Sequence, residues 1–109
     1  MTKLLLIAVL ALASCSGHHA EQAHRRGYEA AKAKDWTEAS NAFAEAVKLD
    51  PNVAKYRYNY ALALAHRGHL EHAQMEAQEA IRIDPTHKDA SALLSSVGYQ
   101  IQMRQRAAY

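Results

Sequence analysis

Three histidines, His66, His69 and His72, recur at every third position near the middle of the chain. Imidazole nitrogens are common zinc ligands, and residues three apart can share a helical face, so His69 and His72 have metal-ligand spacing. Gly68 interrupts the segment, which assigns His66 to a preceding helix, and no cysteine or acidic ligand is fixed beside the group. Solvated turn residues are therefore the alternative, and we predict no metal and no other cofactor.

The serines and carboxylates lack the arrangement that catalysis requires. No serine follows a strand-to-helix nucleophile turn, and the chain has no glycine-rich phosphate loop. The carboxylates of Glu38, Glu45, Glu76 and Glu79 fall where predicted helix surfaces meet water, which disfavours paired acid-base chemistry. We therefore predict that the protein is not an enzyme.

The only cysteine, Cys15, directly follows an apolar run over residues 4–13, which itself follows the basic Lys3. This order is typical of a secretory signal peptide. The run is shorter than the roughly 20 apolar residues that a membrane-spanning helix needs. The stretch Leu12-Ala13-Ser14-Cys15 resembles the lipobox of bacterial lipoproteins, in which a small residue precedes a cysteine that is acylated and becomes the new N-terminus.

The lipobox resemblance implies that residues 1–14 are a signal peptide, that Cys15 is the lipidation site, and that residues 15–19 are a lipidated tether. The fatty chains, palmitate among them, would place the protein at the membrane. Ser16 after the cysteine resembles outer-membrane lipoproteins, so the expected location is the bacterial envelope, with the protein on the outer membrane facing the periplasm. The alternative is an ordinary secretory signal followed by a free cysteine.

Length and charge narrow the class of protein. A chain of 109 residues holds one domain, and 13 Lys and Arg against 11 Asp and Glu give a net charge of +2. This balance does not indicate nucleic acid as a partner. Tyrosine is the main aromatic type, with one Phe and one Trp, so Ala, Leu and Val must build most of a core. Such a composition suits closely packed helices.

A repeat organises the rest of the chain. Val47-Lys48-Leu49-Asp50-Pro51 returns 34 residues later as Ile81-Arg82-Ile83-Asp84-Pro85, a period typical of helix-turn-helix arrays. We predict an N-cap at Asp35, an acidic capping box from Thr86 to Asp89, and helix ends before both prolines. The predicted helices cover residues 20–33, 36–49, 53–66, 70–83 and 87–106.

Small residues recur in register with the prolines: Gly27 and Ala61, Ala39 and Ala73, Ala46 and Ala80. With this period, they resemble the tetratricopeptide repeat family. The resemblance implies an all-α, short helix-turn-helix array with one repeat at residues 20–53, a second at 54–87 and a C-terminal capping helix at 88–109. Ala23 and Arg57 stand where the family usually has a bulky residue, so we expect smaller contacts there.

The family's ligand groove is lined by the first helix of each unit. Carried over position by position, the first unit offers Glu21, His24, Arg25, Tyr28, Ala31 and Lys32, and the second offers Lys55, Tyr58, Asn59, Leu62, Ala65 and His66. We take Arg25, Tyr28, Lys55, Tyr58, Asn59 and Leu62 as the groove, which would favour an extended peptide with an acidic side chain or carboxylate. Ordinary solvated surface is the alternative.

Some family members clamp a C-terminal carboxylate with basic residues. In this chain only Asn59 matches that pattern, and the basic positions fall on His24, Asp89 and Leu93, so the clamp is not expected. The function implied by both resemblances is a membrane-anchored adaptor that binds a protein or peptide partner and assists envelope machinery such as pili or outer-membrane complexes. A metal-binding lipoprotein and a structural module that binds a second copy of itself are the alternatives.

Overall fold

The computed structural model describes residues 2–109, and it describes side chains from Cys15 onward. The predicted signal peptide, residues 1–14, lies outside the residues whose side chains are described. The all-α prediction is confirmed. The described chain forms α1 (Thr2–Lys32), α2 (Trp36–Leu49), α3 (Ala54–His66), α4 (Leu70–Ile83) and α5 (Lys88–Ala107). Over these residues, no helix combines the length and apolar character required to cross a membrane.

Helices α2 to α5 begin and end within a residue of the predicted bounds, but α1 does not. It begins at Thr2 instead of Ala20, so the structure has residues 15–19 within a helix, where the sequence predicted a tether. Neither proline of the chain lies in this stretch. Gly17 alone costs a helix about 1 kcal/mol, which is too little to end one that gains a hydrogen bond with each added residue.

The helix caps are partly those expected from the sequence. Asp35 caps α2, since its Oδ1 accepts from the backbone N–H of Glu38 at 3.1 Å. The prediction for α5 was wrong, because the N-cap is His87 and not Thr86. His87 Nδ1 accepts from the Ala90 N–H at 3.0 Å, while the Thr86 hydroxyl donates to Asp84 at 2.7 Å. An imidazole nitrogen thus performs the role that the pattern assigned to a hydroxyl.

The repeated small residues lie where helices approach one another. Ala39, Ala46, Ala61, Ala73 and Ala80 are all 0% exposed. Gly27 of α1 is covered by the ring of Phe43 in α2, and a Cβ built on this glycine would lie 2.5 Å from Phe43 Cδ1. The predicted reason for these small residues, a close approach of helix backbones, is therefore confirmed.

Arg57 occupies its position differently from a bulky apolar residue. Its guanidinium donates to Glu76 of α4 at 2.9 Å and to the carbonyl of Pro51 at 3.1 Å. The Arg57 and Glu76 side chains are 18% and 13% exposed, so this ion pair is largely buried. It joins the two helices of the second unit.

Helix α5 closes the array through an apolar stripe along one face. Val97 is 0% exposed and belongs to a cluster with Leu64, Leu70 and Ala73, against which Leu93 and Ile101 also pack. Near its C-terminus, Arg104 pairs with Glu71 of α4. This packing places one face of α5 beside α3, where a cavity forms.

Candidate functional site

The seam between α1 and α3 is joined by two polar contacts. The Tyr56 hydroxyl donates to Glu21 Oε2 at 2.9 Å, and the carboxamide nitrogen of Asn59 lies 2.8 Å from His24 Nε2. Burial, and then the hydrogen bond and charge of Glu21, raise the pKa of Tyr56 to about 12. The Tyr56 hydroxyl bond, followed by weaker attraction from Lys55, His24 and Arg25, lowers the pKa of Glu21 despite opposing desolvation.

His24 is a buried titratable group in this seam. It is 8% exposed, and its ring centroid lies 4.9 Å from that of Tyr56 and 5.5 Å from that of Phe43. Burial lowers the pKa of His24, and the cation of Lys55 lowers it further, while Glu21 opposes both effects. Neutral imidazole is therefore the favoured form, with Nε2 accepting from the Asn59 amide.

A cavity of about 370 Å³ lies between α3 and α5. Its walls are Leu62, Ala65 and His66 from α3, and Leu93, Ser96 and Gln100 from α5. The ring of His66 is stacked on Trp36, with centroids 3.7 Å apart and planes 2° from parallel. The cavity thus offers leucine side chains for apolar contact, and a hydroxyl, an amide and an imidazole for hydrogen bonding.

The four predicted cationic and aromatic residues lie on α1 and α3. Arg25 and Tyr28 line a smaller cavity of about 240 Å³ on α1, and Tyr28 is 53% exposed. Lys55 is exposed at the start of α3, while Tyr58 is half-buried with its ring 5.0 Å from that of His87. Burial, with Asp89 adding to it, raises the pKa of Tyr58.

The structure therefore does not gather the six predicted groove residues in one place. Asn59 lies in the seam with His24, Leu62 lines the α3/α5 cavity, and Arg25 and Tyr28 lie on the surface of α1. We use the term inner surface for the six predicted groove residues together with the residues that line the α3/α5 cavity. These residues are Arg25, Tyr28, Lys55, Tyr58, Asn59, Leu62, Ala65, His66, Leu93, Ser96 and Gln100.

Leu93, Ser96 and Gln100 were absent from the predicted groove. A sequence signal for them exists, because they continue the groove register into α5. Counted from Lys88 as the first position of a third unit, they take three of the positions that the groove uses in the first two. The prediction of α5 as a capping helix did not include this register.

The three recurring histidines lie in different surroundings. His66 stacks on Trp36, His69 is the exposed N-cap residue of α4, and His72 lies edge-on to Tyr60 at 5.3 Å. His72 Nε2 is also 3.8 Å from Glu76. Among the side chains that the structure describes, no three metal-ligating groups come together.

No family model matches the chain, but individual proteins are similar to it. It is 37% identical to small glutamine-rich tetratricopeptide repeat-containing protein 2 of Mycosarcoma maydis, over 74% of this chain and 24% of that protein. The chain thus spans about a quarter of the length of this curated relative, and less of the others that it matches.

Solved structures are similar over more of their length. The TPR2B domain of yeast Sti1, in its pHsp70 complex, is 30% identical with a TM-score of 0.74, over 84% of this chain and 71% of that one. The Arabidopsis OM64 TPR domain is 26% identical with a TM-score of 0.78, over 85% of this chain and 77% of that one.

Proposed function

We propose that the inner surface of this chain binds an extended peptide segment of another protein, because the chain belongs to the tetratricopeptide repeat family of protein-interaction modules. The observation that carries this proposal is the cavity between α3 and α5, where Leu62 and Leu93 offer apolar surface from the two helices beside the polar Ser96 and Gln100. Such a mixture of apolar contact and a few polar groups is typical of ligand sites.

The positive charges of the inner surface favour an acidic side chain in the ligand. Arg25 and Lys55 are exposed, and within the described part of the chain neither makes an ion pair. A peptide with an apolar residue in the cavity and an acidic residue near these cations would use both features.

The yeast Sti1 domain in its pHsp70 complex supports peptide binding on this fold. In this chain, however, the positions at which some family members clamp a terminal carboxylate hold His24, Asp89 and Leu93. Asp89 would repel a carboxylate, and Leu93 belongs to the cavity wall. We therefore propose an internal peptide segment as the ligand.

Charge reversal on the inner surface tests this proposal. Peptides selected by the domain from a random displayed library are expected to combine acidic and apolar residues. The double variant Arg25→Glu and Lys55→Glu should bind them about tenfold more weakly, a loss of about 1.4 kcal/mol. Fluorescence anisotropy with labelled peptides measures the affinity.

The matched control carries the same change in net charge on other helices: Lys48→Glu on α2 and Arg82→Glu on α4, both at exposed positions. It should bind almost as the unaltered domain does. Equal losses in the two double variants would mean that only overall charge matters, and the assignment of the inner surface would then be wrong.

We also propose that the domain is held at the bacterial membrane by lipid on Cys15, as the lipobox resemblance implies. The Cys15 side chain is exposed and unpaired in the structure. Each acyl methylene buried in a bilayer contributes about 0.8 kcal/mol, and stable anchoring takes more than one such signal. Confinement at a membrane raises the local concentration of the domain near its partners, so modest affinity suffices.

Loss of the thiol should abolish this anchoring. In bacteria fed labelled palmitate, we expect the unaltered protein to carry label and to sediment with membranes. The Cys15→Ser variant should lose the label and leave the membrane fraction, whereas the control Ser16→Ala should keep both properties. Unchanged sedimentation and labelling of Cys15→Ser would exclude this anchor without affecting the peptide proposal.

A further inference from the structure

His24 combines burial with a bond that depends on its protonation state. The Asn59 amide donates to His24 Nε2 across 2.8 Å, and a nitrogen accepts a hydrogen bond only through a lone pair. Protonation would place an N–H at Nε2, so that two donors faced each other. The Asn59 carboxamide would then have to turn its oxygen towards the ring, or the two side chains would have to separate.

The surroundings of His24 offer little compensation for a positive charge. On α1, Glu21 is the neighbouring acid, but its carboxylate already accepts from the Tyr56 hydroxyl, and Arg25 adds a cation. On α3, Lys55 adds a second cation. On α2, the residue packed against the imidazole is the uncharged Phe43.

The seam that His24 occupies supports the inner surface. Its partner Asn59 lies on α3 one turn before Leu62, a wall of the cavity, and 35 residues along the chain from His24. The bond therefore sets how the first unit meets the second. A change in the His24–Asn59 pair would alter the relation between the surface of α1 and the surface of α3.

We propose that His24 is a proton-sensitive positioning residue, which holds the Asn59 carboxamide when neutral and releases or reverses it when protonated. Mild acidification then weakens the junction of the two units. Insofar as the inner surface binds peptide, an inference that rests on the proposed function, binding weakens in the same pH range.

The direction of the effect on stability follows from linkage. Because burial lowers the pKa of His24 in the fold, the unfolded chain takes up this proton first as the pH falls. The contribution of His24 is complete above the unfolded pKa of about 6.5 and is lost as the pH falls from there towards the folded pKa.

Urea unfolding between about pH 8 and 5 tests this without any ligand. From high to low pH, the unfolding equilibrium constant of the unaltered chain should rise several-fold more than that of His24→Gln, whose side chain does not titrate. The control His69→Gln, at an exposed position with no side-chain capping bond, should follow the unaltered chain. Parallel pH courses for the unaltered chain and His24→Gln would overturn the proposal.

A nuclear magnetic resonance titration of the unaltered protein covers the case in which His24→Gln does not fold. The side-chain amide signals of Asn59 should move with the same midpoint as the His24 ring signals, and fixed Asn59 signals would overturn the proposal. Both measurements are made on the domain alone. A failure to find any peptide ligand would therefore count against the proposed function and not against this role of His24.

Discussion

Gly27→Ala is expected to destabilise the fold by about 1–3 kcal/mol, the usual cost of adding a methyl group to a close-packed core. A Cβ at this position would lie 2.5 Å from Phe43 Cδ1 and 2.6 Å from Cε1. The ring cannot withdraw into solvent, because Phe43 is 2% exposed and packs with Ala39 and Ala63. The steric cost therefore exceeds the gain in helix propensity that alanine normally brings.

Gly98→Ala is the matched control, since it makes the same change inside a helix without the obstacle. A Cβ on Gly98 meets nothing within 4 Å. This variant should be more stable than the unaltered chain by about 0.5–1 kcal/mol, the propensity difference between alanine and glycine. Chemical unfolding of both variants measures the contrast, and shifts of the two midpoints in the same direction would contradict it.

Trimming the ring should rescue the Gly27 variant. Phe43→Leu alone leaves a cavity and costs stability. In the presence of Gly27→Ala, the smaller side chain makes room for the new methyl group, so the double variant should be more stable than the sum of the single effects predicts. Strict additivity would mean that Phe43 is not the obstacle.

Glu76→Gln should cost about 1–3 kcal/mol, because it leaves the guanidinium of Arg57 largely buried without a carboxylate. The Arg57 and Glu76 side chains are 18% and 13% exposed and are 2.9 Å apart. Neutral glutamine can still accept one hydrogen bond, but it does not balance the charge. Urea unfolding at neutral pH measures the loss.

A surface ion pair provides the comparison. Arg26 and Glu45 are 2.6 Å apart, with side chains 56% and 51% exposed. Water and salt screen such a pair, so Glu45→Gln should cost no more than about 1 kcal/mol. If Glu76→Gln proves no more costly than Glu45→Gln, burial does not strengthen the Arg57–Glu76 pair.

Replacing both partners by apolar residues distinguishes the cost of leaving one charge unpaired from the net contribution of the ion pair to stability. The double variant Arg57→Met and Glu76→Leu should recover most of the stability lost in Glu76→Gln, since an apolar pair of similar volume often matches a buried ion pair. Such recovery would agree with the family's preference for a bulky residue at the position of Arg57.

The helices and most of their ends follow from local interactions, which is why the sequence predicts them well. The Asp35 cap acts over three residues, and Pro51 and Pro85 end helices through their own geometry and that of their neighbours. The start of α1 is the exception. Nothing local ends a helix between residues 15 and 20, and the prediction there rested on the resemblance to lipoproteins.

The sequence also predicts part of the inner surface. The family register identifies Leu62, Ala65 and His66 on α3, and all three line the cavity. The residues of the opposite wall lie on α5. They could be predicted only if α5 was known to pack beside α3 as the first helix of a third unit would. The sequence pattern of α5 is equally consistent with a simple cap, because its apolar stripe has the same spacing in either case.

Local patterns were thus enough for the class of fold, the repeat length and the positions that need small side chains. Tertiary structure alone decided which polar groups meet: Arg57 with Glu76 across 19 residues, and Glu21 with Tyr56 and His24 with Asn59 across 35. These pairings depend on the rotation of each helix about its own axis. That rotation is fixed when the alanines and Gly27 pack against a neighbouring helix. A rotation of one residue would exchange these partners for others, and no pattern along the chain specifies it.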